Sequence, residues 1–283
     1  MGIKEFSWED ELITALSHIG AETEFLPSAT YRLLKFKDSD QLIIHLISIH
    51  HPYSPEALVA LAQNQDENRA QVIHLWEDIW RTRSAQVLSR ITSILGKNVT
   101  VYGRKTKIVE VTQPEADEFY NRYHLQGTAG CKYRYALVNG EGIIAIAGFS
   151  AKRRMTQQPG EYYSVELIRF ATINGITVTG GLSKLIRHFI KVVQPNDVMS
   201  YADLDWSRGK GYLKLGFTQV SVLPPMQIFL NLHTLERFFL QRLPREIKAE
   251  MMTLQDSERD VYLRQLNYIP IYNTGNLKYI LYL

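Results

Sequence analysis

The sequence predicts a mixed α/β protein in two domains, and three observations carry that expectation. At 283 residues the chain exceeds one average domain. Strand-like runs such as "LIIHLISI", "IIAIAGFS" and "FTQVSVL" interleave with segments whose apolar residues recur every three or four positions. The stretch "GKNVTVYGRKTK" is polar, basic and punctuated by glycine, so the boundary is placed there. Residues 1–104 then form a smaller N-terminal α/β domain and residues 105–283 a larger one.

In the first domain, Ser7 caps a helix whose Trp8, Leu12, Ile13, Leu16 and Ile19 share one face. The strands "YRLLKFK" and "LIIHLISI" follow, joined by a turn at "KDSD". A helix in "SPEALVALAQNQ", a short strand in "AQVIHLW" and a longer helix from Asp78 to Leu95, ended by Gly96, complete it.

The second domain starts with a helix in "QPEADEFYNRYH". A hairpin follows, in which "CKYRYALV" and "IIAIAGFS" flank Asn139-Gly140-Glu141-Gly142. A basic loop, "AKRRMTQQPGEYY", leads to the strand "SVELIRFAT", where simple alternation gives Glu166 and Arg169 opposite facings. Next come "ITVTGGLSKLIRHFIKVV", the strand "DVMSYAD", a short helix in "WSRGKGYLKLG" and the strand "FTQVSVL". Pro224-Pro225 break the pattern before "MQIFLNL". A charged helical stretch follows, and "YIPIYNTGNLKYILYL" reads as a closing hairpin around Thr274-Gly275.

Composition closes several classes. Apolar residues make up 45% of the chain, as in an ordinary soluble globular protein. Basic residues exceed acidic ones by three, which permits nucleic-acid contact without requiring it. No apolar window reaches the roughly 18 residues of a membrane span. The start "MGIKEFSWEDELITAL" is acidic early and lacks the apolar core of a signal peptide. Met1-Gly2 opens like a myristoylation site, but Phe6 stands where Ser or Thr is needed. Cys131 is the single cysteine, so an internal disulfide or cysteine zinc site is excluded and a reducing cytoplasm is expected.

Leu182, Leu185, Ile186, Phe189, Ile190 and Val193 mark one buried helix face directly after Gly180-Gly181. A strand ending in Val178-Thr179, two residues without side chains and a helix start form either a phosphate cradle or a plain strand-to-helix turn. "TGGLSK" is neither a Walker loop nor a dinucleotide fingerprint.

The segment "SYADLDWSRGKGYLKLGF" resembles the GNAT acyltransferase superfamily. That signature is a strand, a glycine-rich pyrophosphate loop opening a helix, another strand, and a helix ending in tyrosine-x-lysine-x-glycine-phenylalanine. Tyr212, Lys214, Gly216 and Phe217 stand at those four places. "VELIRFAT" corresponds to the central strand, "TVTGGLSKLIRHFIK" to loop and helix, and "VMSYAD" to the splayed strand. The loop departs from the family, whose usual pattern is Arg or Gln, two variable residues, Gly, one variable residue, then Gly or Ala. Together, "YHLQG", "ELIRF", "TGGLSKL" and the "SYAD" segment look like a group of bacteriophage-associated proteins with a GNAT-like domain, related more distantly to the Mom DNA-modification proteins. The resemblance covers roughly residues 70–283.

The resemblance implies a GNAT-like fold and an acyl-CoA-dependent N-acyltransferase using acetyl-CoA. It implies coenzyme contacts at Val178, Thr179, Gly180, Gly181, Leu182, Ser183 and Lys184. Tyr212 would protonate the departing thiolate, or pack as a helix tyrosine on the sheet. Asp203 and Asp205 would deprotonate the amine, or cap the following helix. His124 would lie where the acceptor enters, or be a hydrogen-bonded turn residue.

"VIHLWEDIWRTRSAQVLSRITSILG" resembles the closing strand and helix of very-short-patch-repair nucleases, which have a restriction-endonuclease-like fold; Trp76-Glu77-Asp78 and Trp80 match. Such nucleases hold magnesium with paired carboxylates on adjacent strands. At that place this chain has "LIIHLISIHHP", which implies a degenerate nuclease unit kept for structure or nucleic-acid contact. His45, His50 and His51 share no carboxylate spacing, so no metal site is expected. Lys152, Arg153 and Arg154 beside Tyr162 and Tyr163 mix charge with stacking surface, as nucleic-acid binders do, or form a solvated loop. Two functions follow: an N-acyltransferase whose acceptor is a nucleobase, nucleotide or nucleic acid, and a non-enzymatic nucleic-acid-binding protein of phage or mobile-element origin.

Overall fold

Ser7 opens the first helix with a reciprocal cap, its Oγ accepting from Asp10 N–H while the Asp10 carboxylate takes the Ser7 N–H. The computed structural model describes residues 7–66, 70–156 and 160–283, so the myristoylation-like Met1-Gly2 and Phe6 lie outside the described residues. Helix α1 (Trp8–His18) buries Trp8, Leu12 and Leu16. Strands β1 (Thr23–Phe25), β2 (Leu33–Phe36) and β3 (Ser39–Ile47) pair antiparallel. Helix α2 (Pro55–Asp66) then crosses over so that β4 (Gln71–Trp76) runs parallel to β3. Leu42 to Ile47 are buried without alternation, as in a strand covered on both faces. Helix α3 (Glu77–Ile94) follows with a kink at Arg83.

The stretch "GKNVTVYGRKTK", where the boundary is placed, is structured. It contains β5 (Val99–Tyr102), one 3₁₀ turn at Gly103–Lys105 and β6 (Lys107–Glu110). Both strands lie at sheet edges, are mostly exposed and are only four residues long, so the polar, glycine-bearing residues that flank them outweigh their β-branched ones. After α4 (Gln113–Tyr123) come β7 (Tyr133–Asn139), β8 (Gly142–Phe149), β9 (Arg153–Arg154), β10 (Tyr163–Thr172) and β11 (Ile176–Thr179), the last pairing parallel with β5. Then follow α5 (Gly181–Val193), β12 (Asp197–Asp203), α6 (Lys210–Lys214), β13 (Thr218–Leu223), β14 (Gln227–Asn231) and β15 (Arg237–Phe238). A 3₁₀ turn at Leu240–Arg242 leads to α7 (Arg245–Met251), α8 (Asp256–Gln265), β16 (Tyr268–Tyr272) and β17 (Asn276–Tyr282).

The main sheet runs β13-β17-β12-β10-β8-β7-β6, with β9 on the edge of β10. Only β10 and β12 in it are parallel. Helix α5 covers one face over Leu137, Phe149, Leu167 and Val198, while α4 covers the other over Ala136, Ile146 and Ala171. Chain order therefore agrees with the strand, loop, helix and second strand expected from the motifs.

Two sequence expectations fail. The closing strands do not form a hairpin: β16 pairs with β14 in a three-stranded sheet, whereas β17 inserts between β12 and β13. The crossing is pinned at Thr274, whose N–H and hydroxyl both donate to Asp205, and at Gly275, whose φ of 97° few other residues accept. Glu166 and Arg169 also share a face, because a bulge between Leu167 and Arg169 shifts the alternation by one.

The two halves share packing. Trp206, which follows β12, sits in the core of the four-stranded sheet, and the β14 and β16 residues Ile228, Leu230, Ile269 and Ile271 pack on Ile47, Leu58 and Trp76. Asp78, which is 1% exposed, takes both arms of Arg237 at 2.6 and 2.8 Å. No described helix is long and apolar enough to cross a membrane.

Candidate active site

β10 and β12 hold three registered pairs, from Ser164↔Asp197 to Glu166↔Met199, and then part. β10 stays with β8 and β12 stays with β17, so a fork opens toward their C-terminal ends. Ser200 sits where it opens, its Oγ 3.0 Å from the Leu167 carbonyl and 2.9 Å from the Tyr212 hydroxyl. The carbonyl can only accept, so the serine proton goes there. The Tyr212 proton is then available to Ser200 or to a group in the fork. The tyrosine ring is fixed between Phe217 and Tyr279, with centroids at 5.4 and 5.3 Å. Burial pushes its pKa up, opposed by Ser200 and Arg90.

The two aspartates at the end of β12 separate in role. Asp205, 3% exposed, accepts from Thr274 N, Thr274 Oγ1 and, at 3.3 Å, Trp76 Nε1, so its carboxylate is committed to holding the two halves together. Asp203 is half-buried and accepts from Gln126 Nε2 and Asp205 N, both at 3.0 Å. Burial, then the Asp205 charge, pushes its pKa up to about 7. His124 caps the end of α4, its Nδ1 accepting from Gln126 N at 3.1 Å. Burial, then Arg169, Arg90 and Arg83, pulls it down to about 3, so it is neutral at physiological pH. Gln126 thus links His124 to Asp203, an arrangement the sequence hinted at only through "YHLQG".

The glycine pair performs two different tasks. Gly180 caps α5 at φ 72° with open space where a side chain would stand, and no side chain caps the helix. The N–H groups of Gly181, Leu182 and Ser183 have no partner within the helix. A 410 Å³ cavity lies here, lined by Tyr102, Arg104, Thr179, Gly180, Lys184 and Arg187. Gly181 is a packing glycine instead, since a Cβ would lie 2.7 Å from Val178 Cγ1 and 2.9 Å from Leu137 Cδ1. Val178 is buried and Leu182 packs on the same core, so both build the loop. The Lys184 ammonium donates to the carbonyls of Gly103, at 3.1 Å, and Thr106. Arg104 and Arg187, neither singled out by motif, are the cavity's other cations; Arg104 stacks over Tyr102 at 5.3 Å.

Lys152, Arg153 and Arg154 are exposed on and beside the edge strand β9, and Lys152 Nζ lies 5.6 Å over the Tyr163 ring. Glu77 and Asp78 are held by Arg81 and Arg237. Among the described residues, no group of three or more His, Cys, Asp or Glu is arranged to hold a metal ion.

No protein-family model matches this chain, and no curated protein matches it. Solved structures do resemble it. A Bacillus subtilis acetyltransferase in complex with CoA aligns with 63% of this chain and 99% of its own, at 14% identity and a TM-score of 0.34. An Elizabethkingia anophelis GNAT family acetyltransferase with acetyl-CoA bound aligns over 63% and 99%, at 16% identity and a TM-score of 0.34. The Escherichia coli ribosomal-protein-S18-alanine N-acetyltransferase aligns over 62% and 93%, at 11% identity and a TM-score of 0.36. The functional reading rests on this chain's own geometry.

Proposed function

We propose that this chain is an acyl-CoA-dependent N-acyltransferase of the GNAT kind, with the activity in residues 105–283. The observation that carries the reading is the Tyr212 hydroxyl, held by Ser200 where two parallel strands part. The donors around Gly180 suit the phosphates of coenzyme A: three unpaired helix amides and the guanidiniums of Arg104 and Arg187. The edge of β10 beyond Glu166, no longer paired to β12, suits the coenzyme's extended, amide-bearing arm.

A bound thioester supplies an acyl group open to attack by an amine, with a thiolate as leaving group. Tyr212 keeps its proton at neutral pH, because burial disfavours the phenolate, and gives it to the departing sulfur. Asp203, with a pKa of about 7, takes a proton from the incoming amine. The neutral His124, whose Nδ1 accepts from Gln126 N, presents an Nε2–H donor beside Gln126.

For the acceptor we favour a nucleobase, nucleotide or nucleic acid, supported by the exposed Lys152, Arg153 and Arg154 beside Tyr163. Residues 1–104 then serve as a degenerate nuclease-like unit retained for contact. The same basic strand supports the second reading, a non-enzymatic nucleic-acid binder.

Acyl transfer from labelled acetyl-CoA to nucleosides, oligonucleotides and simple amines tests the proposal. Transfer lost in Tyr212→Phe is the expected result. Oligonucleotide binding without coenzyme binding or transfer favours the second reading.

A further inference from the structure

A guanidinium withdrawn from water normally acquires a carboxylate, because an uncompensated buried charge is costly. Arg90, on α3, has none. Among the described residues its side chain makes no hydrogen bond and no ion pair, yet it is half-buried and close enough to Tyr212 and His124 to shift both their pKa values. Burial pulls its own pKa below the usual guanidinium range, and Tyr212 only partly opposes this.

Two more arginines meet at the turn after α4, where Gly127 touches both. Arg83, at the kink of α3 and about two turns before Arg90, donates from Nη1 to the Asn121 carbonyl at 2.6 Å. Arg169, turned onto this face by the β10 bulge, donates from Nε to the Gly127 carbonyl at 3.2 Å. Both spend hydrogen bonds on uncharged carbonyls, and no carboxylate is hydrogen-bonded to either guanidinium. His124 feels Arg169, Arg90 and Arg83 together. Glu166 lies within electrostatic range of Arg169, and Asp203 is bonded to Gln126 and Asp205 N–H, but neither is hydrogen-bonded to any of the three arginines. Like charges brought together at reduced dielectric repel, and an anion seated among them removes that cost.

We propose that this arginine cluster, at the end of α4 and beside the fork, is an oxyanion subsite in which Arg90, flanked by Arg83 and Arg169, receives a phosphate or carboxylate carried by the amine acceptor. The word acceptor rests on the acyltransferase reading; the anion site itself does not. The subsite is separate from the Gly180 cavity, whose cations are Arg104, Lys184 and Arg187. It also gives the N-terminal unit a direct role, since α3 supplies Arg83 and Arg90 and β10 supplies only Arg169.

The test titrates inorganic phosphate, adenosine monophosphate and glycine into the full chain by calorimetry, with and without coenzyme A. Wild type, Arg90→Gln and Arg90→Lys are compared, which cancels any phosphate taken up at the Gly180 cavity. Wild type should bind at least one of these anions, and Arg90→Gln should weaken that binding about tenfold or more. Arg90→Lys should lose less, and coenzyme A affinity should be equal in all three. Preference for the phosphates over glycine, or the reverse, identifies the oxyanion. Equal affinities in wild type and Arg90→Gln, or no binding of any of the three probes, overturns the subsite. If the anion binds in an Arg90-dependent way and coenzyme A does not bind, the acyltransferase reading fails and the subsite stands.

Discussion

Ser200 Oγ and the Tyr212 hydroxyl meet at 2.9 Å at the point where β10 and β12 separate. Because the Leu167 carbonyl claims the serine proton, the tyrosine O–H donates to Ser200 Oγ, and this contact fixes the aim of the phenol at the mouth of the fork. Tyr212→Phe should lower kcat about a hundredfold and leave coenzyme affinity unchanged, since the hydroxyl matters only as charge develops on sulfur. Ser200→Ala loses only the aiming and should lower kcat by about tenfold. Steady-state kinetics with an independent measurement of Kd separates the two.

Charge and packing are separable at the helix start. Arg104→Gln with Arg187→Gln should weaken coenzyme binding about tenfold or more and flatten its salt dependence, as loss of charge-assisted contacts demands. Gly181→Ala should lower Tm instead, by about 1–3 kcal/mol of stability, because its Cβ presses on Val178 and Leu137. Calorimetric titration and thermal unfolding read these two effects.

Asp203 sets a pH dependence whose sign is fixed. As a base it must be ionised, so kcat/KM should rise through pH about 7 and lose that limb in Asp203→Asn. Its folded pKa lies above its ordinary value, so the stability it contributes is complete at low pH and is lost as pH rises through about 7. Asp203→Asn should therefore be more stable than wild type at pH about 8, by about 1–2 kcal/mol after allowance for partial exposure, and equal to it near pH about 4. Tm against pH for both proteins checks this.

Acid should act on the N-terminal core through His45 and His74, whose Nδ1 atoms lie 3.0 Å apart at 0% exposure. One ring must donate and the other accept, so at least one is neutral, and burial keeps both neutral at physiological pH. Burial, then His74 and His51, depresses His45 to about 3, and burial lowers His74 as well. With folded values below the ordinary one, the stability they contribute is full above pH about 6.5 and is lost as pH falls from there toward about 3. His45→Leu with His74→Leu should flatten Tm over that window.

Helices α1 and α5 were legible because caps and apolar period agree, and so was the chain order from β10 through α6. The local alternation rule could not show the single-residue bulge after Leu167, which moves Arg169 to the face of Glu166. Nor could it show that β16 and β17 belong to different sheets, which depends on Asp205 reaching Thr274 across 69 residues. Strands β5 and β6 were hidden because each is only four residues long and set among polar, glycine-bearing residues. Of the candidate site, Tyr212, Asp203, His124 and Gly180 were named from motifs, and the structure brings the first three to the fork. Arg90 carries no local signal at all. It sits on a helix of the other half and acquires meaning only when α3 packs beside α4.

The most direct measurement is a crystal structure of the full chain with coenzyme A. The expected result has the pyrophosphate on the N–H groups of Gly181 to Ser183 between Arg104 and Arg187, and the thiol within hydrogen-bond reach of the Tyr212 hydroxyl. A coenzyme bound elsewhere on the chain, or no complex at millimolar coenzyme, would contradict the acyltransferase reading.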